Sequence, residues 1–141
     1  GLVSSQAAAD MPERKQGRYD TAAQVAEKGV GVVVEAMTSK FTADERLRAL
    51  AQSVMEQQRP AGVIGALKAM AERMNASAML YTFRFPMVIV HGEADALIPI
   101  ERAREVKNAV SHARWVELKG VGHLPMLEAP KETAEALRKL A

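Results

Sequence analysis

The sequence predicts an α/β fold in two parts: an all-helical stretch over residues 18–80, then a strand–helix–strand–helix unit over residues 81–141. Three features predict it. Apolar residues recur at helical spacing from about Tyr19 to Asn75. Met87-Val-Ile-Val90 is a short continuous apolar run bounded by Pro86 and Gly92, which suits a strand buried on both faces of a parallel sheet. A second strand-like run, Arg114-Trp-Val-Glu-Leu118, follows one helical segment later, and that order implies a right-handed βαβ unit.

Each element has its own signal. Leu2 and Val3, followed by Ser4, Ser5 and Gln6, read as the end of a buried strand, and residues 1–17 as that strand end plus a connection broken by Pro12 and Gly17. Val25, Gly29, Val33 and Met37 recur at helical spacing. The β-branched run Val30-Gly-Val-Val-Val34 leaves a strand reading open, but a strand there has no evident pairing partner, which favours a helix. Thr42-Ala-Asp-Glu45 reads as a capping box before an apolar stripe of Leu47, Leu50, Ala51, Val54 and Met55. Pro60 suits a first helical position, and Val63, Leu67, Met70 and Met74 continue a third stripe until the break at Asn75 to Ser77. Beyond the first strand, Pro99 to Val110 reads as a helix with Ala103, Val106 and Val110 inward. The second strand puts Trp115 and Glu117 on one face and Val116 and Leu118 on the other. Lys131 to Leu140 reads as a closing helix that buries Ala134, Leu137 and Leu140.

Composition narrows the function. At 48% hydrophobic and 26% charged residues the chain is globular rather than disordered. The net charge is +2 and the basic residues are scattered without aromatic interleaving, so nucleic-acid binding has no support. The absence of cysteine removes disulfides, thiolate metal sites and a cysteine nucleophile. No apolar run approaches the ~20 residues that span a bilayer. The opening Gly-Leu-Val-Ser-Ser-Gln lacks the basic and apolar regions of a secretory leader, so a cytoplasmic protein is expected. It also lacks an initiator methionine, as a truncated, processed or cleaved chain would. Asn75-Ala-Ser77 matches a glycosylation triplet, but without secretory context it reads as chance.

The chemistry concentrates between residues 86 and 130. In a parallel sheet, the loops leaving the strand C-termini converge at one edge. Asp95 follows the first strand closely and His123 follows the second, so an acid and a base are expected on adjacent loops. Gly92 permits a tight bend, Gly120 and Gly122 let the backbone turn sharply before His123, and Pro125 and Pro130 are expected to keep the next loop extended. Glu93 competes for the acid role. His91 reads as structural, His112 as surface, and Glu128 as a hydrogen-bonding or capping residue rather than a second acid. His91, Asp95 and His123 lack the close spacing of a metal site, so neither metal nor cofactor is expected.

The two segments carrying these residues, Pro86-Met-Val-Ile-Val-His-Gly-Glu-Ala-Asp-Ala-Leu-Ile-Pro99 and Gly120-Val-Gly-His-Leu-Pro-Met-Leu-Glu-Ala-Pro130, resemble the acid and histidine segments of the α/β-hydrolase superfamily. Asp95 falls on the family pattern G-x-x-D-x-x-x-P, which favours it over Glu93. His123 falls on G-x-G-H-x-x-x-x-E-x-P. The resemblance implies the C-terminal part of an α/β-hydrolase fold: a helical cap, or lid, over residues 18–80, then the last two parallel strands and their helices over 81–141. It faintly favours the small carboxylesterase and enol-lactonase branch. The nucleophile precedes the acid in this family, yet no G-x-S-x-G elbow occurs in the 141 residues.

The implied activity is therefore that of a whole serine hydrolase cleaving carboxylic esters or lactones. This chain would supply Asp95 and His123, and an N-terminal companion polypeptide would carry the serine. Ser4 and Ser5 stand at no strand-to-helix elbow and cannot replace it, so the chain alone is expected to be inactive. Of the methionines, most read as core packing, while Met126 is the best candidate to line an acyl pocket. The rival reading is a non-catalytic binding or assembly module of the same ancestry.

Overall fold

The computed structural model describes residues 1–140. Three strands, β1 (Leu2–Val3), β2 (Val88–Gly92) and β3 (Arg114–Leu118), form a parallel sheet in the order β1-β2-β3. Leu2 and Val3 pair with Ile89 and Val90, while Val88 through Gly92 pair with Arg114 through Leu118. β2 is central and buried along its whole length, as its unbroken apolar run requires.

The alternation of side chains along β2 builds two cores. Met87 and Ile89 pack with Ala103 and Val106 of α6 (Ile100–Ala109) and with Val110 just beyond it, and Leu2 and Trp115 lie against the same cluster. Val88 and Val90 point to the other face, where they meet Leu118, Ala129 and Ala136, the last from α8 (Pro130–Leu137). Burying one such aliphatic side chain is worth about 1.5–3 kcal/mol.

The helical part carries its own core. Helices α1 (Pro12–Lys28), α2 (Gly31–Phe41), α3 (Glu45–Glu56) and α4 (Pro60–Ala71) follow one another, then the short α5 (Ser77–Leu80). Ala22 and Val25 of α1 bury against Leu67 of α4, with Val30, Val33 and Val63 beside them. Val30 caps α2 and Gly31 to Val34 of the run are helical, and Gly29, at φ 81°, makes the bend that separates α2 from α1. No helix among the described residues is long and apolar enough to cross a membrane.

Several expectations give way here. The connection read over residues 7–17 ends at Met11, because Pro12 sits at the first helical position of α1, where its missing N–H costs nothing. A boundary between residues 17 and 18 therefore falls inside a helix. The cap of α3 is Asp44 rather than Thr42: its Oδ1 accepts the N–H groups of Arg46 and Leu47 at 2.8 and 3.1 Å. Pro125 and Pro130 do not hold a loop extended; they begin α7 (Pro125–Glu128) and α8. The buried residues of α8 are Thr133 and Ala136, not Ala134, Leu137 and Leu140. The Thr133 hydroxyl donates to the Pro125 carbonyl at 2.9 Å and fixes that phase. The apolar stripe of α3 is not buried, since that helix packs chiefly on α2, and Leu50 and Val54 remain about half exposed. Met74 and Met79 are likewise exposed rather than core residues.

Two close contacts fix these connections. At the base of the helical part, the incoming and outgoing segments meet: Ala76 N–H donates to the Ala7 carbonyl (2.9 Å) and Arg73 Nη2 to the Ala8 carbonyl (2.8 Å). Beside them the buried Asp10 carboxylate pairs with Arg18, with Arg73 at 3.5 Å and Arg14 at 3.7 Å. Burial alone would raise its pKa, but the hydrogen bond and charge of these arginines hold it below the ordinary carboxylate value. At the strand end, Gly92 meets the backbone of the loop after β3: a Cβ there would stand 2.2 Å from the carbonyl oxygens of Val121 and Gly122.

A depressed folded-state pKa gives stability that is full above the unfolded value and lost as pH falls through the folded one. Asp10→Asn should therefore be less stable than the wild type near neutrality and converge with it on acidification below about pH 4. Urea unfolding across pH checks this, and parallel curves would show that the ion cluster contributes nothing. Gly92→Ala should lose about 3 kcal/mol, as overpacking against rigid backbone does. A denaturation midpoint unchanged from wild type would contradict the close approach.

Candidate active site

Because β2 and β3 are parallel, their C-terminal ends share one edge of the sheet, and the loops that leave them carry Asp95 and His123. The first loop folds tightly over itself. Asp95 Oδ1 accepts the N–H groups of Leu97 and Ile98, both at 2.9 Å, an arrangement that a short carboxylate side chain makes locally. Its other oxygen, Oδ2, accepts Nδ1–H of His123 at 2.8 Å. The Asp95 side chain is fully removed from solvent, while that of His123 is 21% exposed. The structure thus brings together the acid and base expected from the sequence.

The electrostatics suit an ionised acid. Burial by itself would push the Asp95 carboxyl pKa up. The hydrogen bond from His123 and those from Ile98 and Leu97, with the attraction of the imidazole, outweigh burial and hold it below the ordinary value. With Nδ1 committed to Asp95, the second ring nitrogen, Nε2, lies on the imidazole edge away from the carboxylate. That geometry lets one nitrogen be oriented while the other exchanges a proton.

The loop before His123 is shaped by glycines. Gly120 takes φ 68°, and a Cβ on Gly122 would stand 2.7 Å from the Phe41 carbonyl oxygen. Ala94 N–H donates to the Val121 carbonyl at 2.9 Å, joining the acid and histidine loops directly. Glu93 is exposed and accepts the Gly120 N–H at 3.3 Å, so it steadies a turn and does not reach the imidazole.

The other candidates fall in distinct places. His91 is completely buried; its Nε2 donates to the Ile98 carbonyl at 2.8 Å and lies 3.6 Å from Asp95 Oδ2. It braces the acid loop from beneath. His112 is exposed, 3.0 Å from the Phe85 carbonyl. Ser4 ends β1 in the left-handed region at φ 43°, with its side chain buried and no helix following until Pro12. Met126 stands exposed on α7, directly after the histidine turn. Among the described residues no group of three or more histidine, aspartate or glutamate side chains is arranged to hold a metal ion. Two concavities, of about 190 Å³ beside Leu80 and Val106 and about 420 Å³ beside Leu2, Phe83 and Met87, lie away from the Asp95–His123 pair.

The sequence reading missed the helical part's contribution to this site. The Phe41 ring lies 5.8 Å from the imidazole, centroid to centroid, and the Phe41 carbonyl accepts the His123 backbone N–H at 2.8 Å. No local pattern signals a contact between residues so far apart in the chain.

No family model matches the chain. Among curated proteins it is 32% identical over 80 residues to a pimeloyl-[acyl-carrier protein] methyl ester esterase of Aromatoleum aromaticum, a match covering 57% of this chain and 32% of that enzyme. Among solved structures, an esterase from Thermogutta terrifontis superposes with a TM-score of 0.92 at 26% identity, over 98% of this chain and 53% of the esterase. The enol-lactonase of Burkholderia xenovorans LB400 does so with a TM-score of 0.83 at 21% identity, over 98% of this chain and 54% of the lactonase. The chain thus spans about a third of the curated relative and about half of each solved structure. Its parallel sheet, its helical insertion and these likenesses show that the chain has the C-terminal part of an α/β-hydrolase fold and is similar to esterases of that fold.

Proposed function

We propose that this chain supplies the acid and the histidine of a catalytic triad to a serine hydrolase that cleaves carboxylic esters or lactones through an acyl-enzyme. The observation that carries the reading is the 2.8 Å bond from His123 Nδ1 to an Asp95 carboxylate whose other oxygen is held by two backbone N–H groups. The esterases among its relatives support ester hydrolysis as the reaction class.

In this reading His123 Nε2 takes the proton of a serine hydroxyl as the oxygen attacks the acyl carbon. It then returns the proton to the departing alcohol. Asp95 keeps the imidazole in the tautomer with Nδ1 protonated and stabilises the imidazolium that forms. In the second half-reaction the same nitrogen activates water, and the acid product leaves. The serine and its oxyanion donors belong to an N-terminal part bearing G-x-S-x-G, for which a companion polypeptide is the expected carrier, because the 141 residues contain no such elbow. Met126 lines the acyl site, its exposed thioether beside the histidine turn supporting that role.

A non-catalytic assembly module is the second reading. The half-exposed Leu50 and Val54 of α3, and β1 at the sheet edge, favour a partner of some kind under either reading.

Intact mass measurement before and after a fluorophosphonate probe separates the two. The catalytic reading expects a companion polypeptide to gain the probe mass, and Asp95→Asn to lower kcat of the assembled enzyme on the order of 10⁴-fold. A single unlabelled species with no companion would favour the assembly module instead.

A further inference from the structure

Three successive backbone N–H groups, those of Gly122, His123 and Leu124, are each held by an acceptor outside the histidine turn's own ladder. Glu128 takes the outer two, Gly122 N–H at Oε2 (2.9 Å) and Leu124 N–H at Oε1 (3.1 Å). The middle one, of His123, goes to the Phe41 carbonyl at 2.8 Å. Phe41 is the last residue of α2, so its carbonyl is one of the helix-end acceptors that no intrahelical N–H can reach.

The next residue closes the circuit. Thr42 is 3% exposed, and its hydroxyl donates to Glu128 Oε2 at 2.8 Å while accepting Asp44 N–H at 3.1 Å. One buried hydroxyl therefore links the end of α2, the start of α3 and the carboxylate that clamps the histidine turn. Hydrogen bonds to an ionised group are shorter and stronger than neutral ones, so this junction resists being pulled apart. Gly122 fits it sterically as well, because any side chain there would strike Phe41 and Glu128.

We infer that Thr42 and Glu128 are positioning residues that make the orientation of the His123 imidazole depend on how α2 of the helical part is seated on the histidine turn. The inference rests on the proposed triad. Both residues act through the backbone of residues 122–124. Asp95 anchors one ring nitrogen from the core, and the helical part fixes the backbone from which the ring projects. A shift of α2 would rotate the imidazole about its bond to Asp95 and misplace Nε2, and displacements of about 1 Å are enough to slow a positioned reaction severely.

The test uses nitrogen-15 labelled full chain and follows the His123 Nδ1–H proton and ring nitrogens by NMR, with the amides of β2 and α6 as a check on folding. Thr42→Val removes the hydroxyl with little change of shape. It should shift or broaden the His123 ring signals and the amides of residues 122–124, while β2 and α6 keep their wild-type positions. Thr42→Ser should restore the wild-type ring signals. Glu128→Gln, whose single carbonyl oxygen cannot serve both the Thr42 and Gly122 donors and the Leu124 N–H, should reproduce the valine effect and carries the test if Thr42→Val unfolds. Unchanged His123 ring signals in folded Thr42→Val or Glu128→Gln would overturn the inference and leave the triad reading standing. Absence of a carboxylate-bonded Nδ1–H in the wild type would overturn both.

Discussion

The close approach of two backbones, at Gly92 and at Val121–Gly122, is the contact on which the rest of the site depends. It leaves no room for a single methyl group between the end of β2 and the loop that follows β3. With the loops pressed together, Ala94 reaches the Val121 carbonyl, and the carboxylate and imidazole come within 2.8 Å. Any side chain at the contact would force the loops apart and open that bond. The glycine pattern and the acid–base pair are thus one structural fact.

Burial and polarity are balanced around that contact. A carboxylate withdrawn from water is costly unless it is fully hydrogen-bonded, and Asp95 meets the condition with two backbone donors and one imidazole. Asp10 does not meet it, since its Oδ1 accepts no hydrogen bond; charge offsets its burial instead, from arginines drawn from both ends of the helical insertion. The first arrangement orients a ring; the second closes the base of the helices. Their pKa values fall for the same reason, and their consequences differ because only one of them faces a titratable ring.

The helical part touches the core at its base and again at the histidine turn. Between those points its own apolar residues pack on each other, and α3 keeps much of its stripe toward solvent. Under the proposed function, that open face and the unpaired side of β1 are where the remainder of an enzyme would rest. Under the same reading, the second attachment, through Phe41, Thr42 and Glu128, makes the helical part a support for the imidazole as well as a cover over the site.

By itself the sequence determined the class of fold, the three strands and the adjacent loops on which Asp95 and His123 stand. Those depend on local periods and on glycine and proline framing, whose physical effects act within a few residues. The alternation of Trp115 and Glu117 against Val116 and Leu118 is of that kind, and the two cores lie as that period requires. The tertiary structure alone decided where proline starts a helix instead of extending a loop, as at Pro12, Pro125 and Pro130, because only neighbouring backbone fixes which role its preset φ serves. It also decided what Thr42 does. Its hydroxyl before a helix reads as a cap, but a carboxylate 86 residues away claims its proton and Asp44 takes over the capping. A hydrogen bond between distant segments leaves no periodic trace in a chain, and such bonds are what connect the helical part to the imidazole.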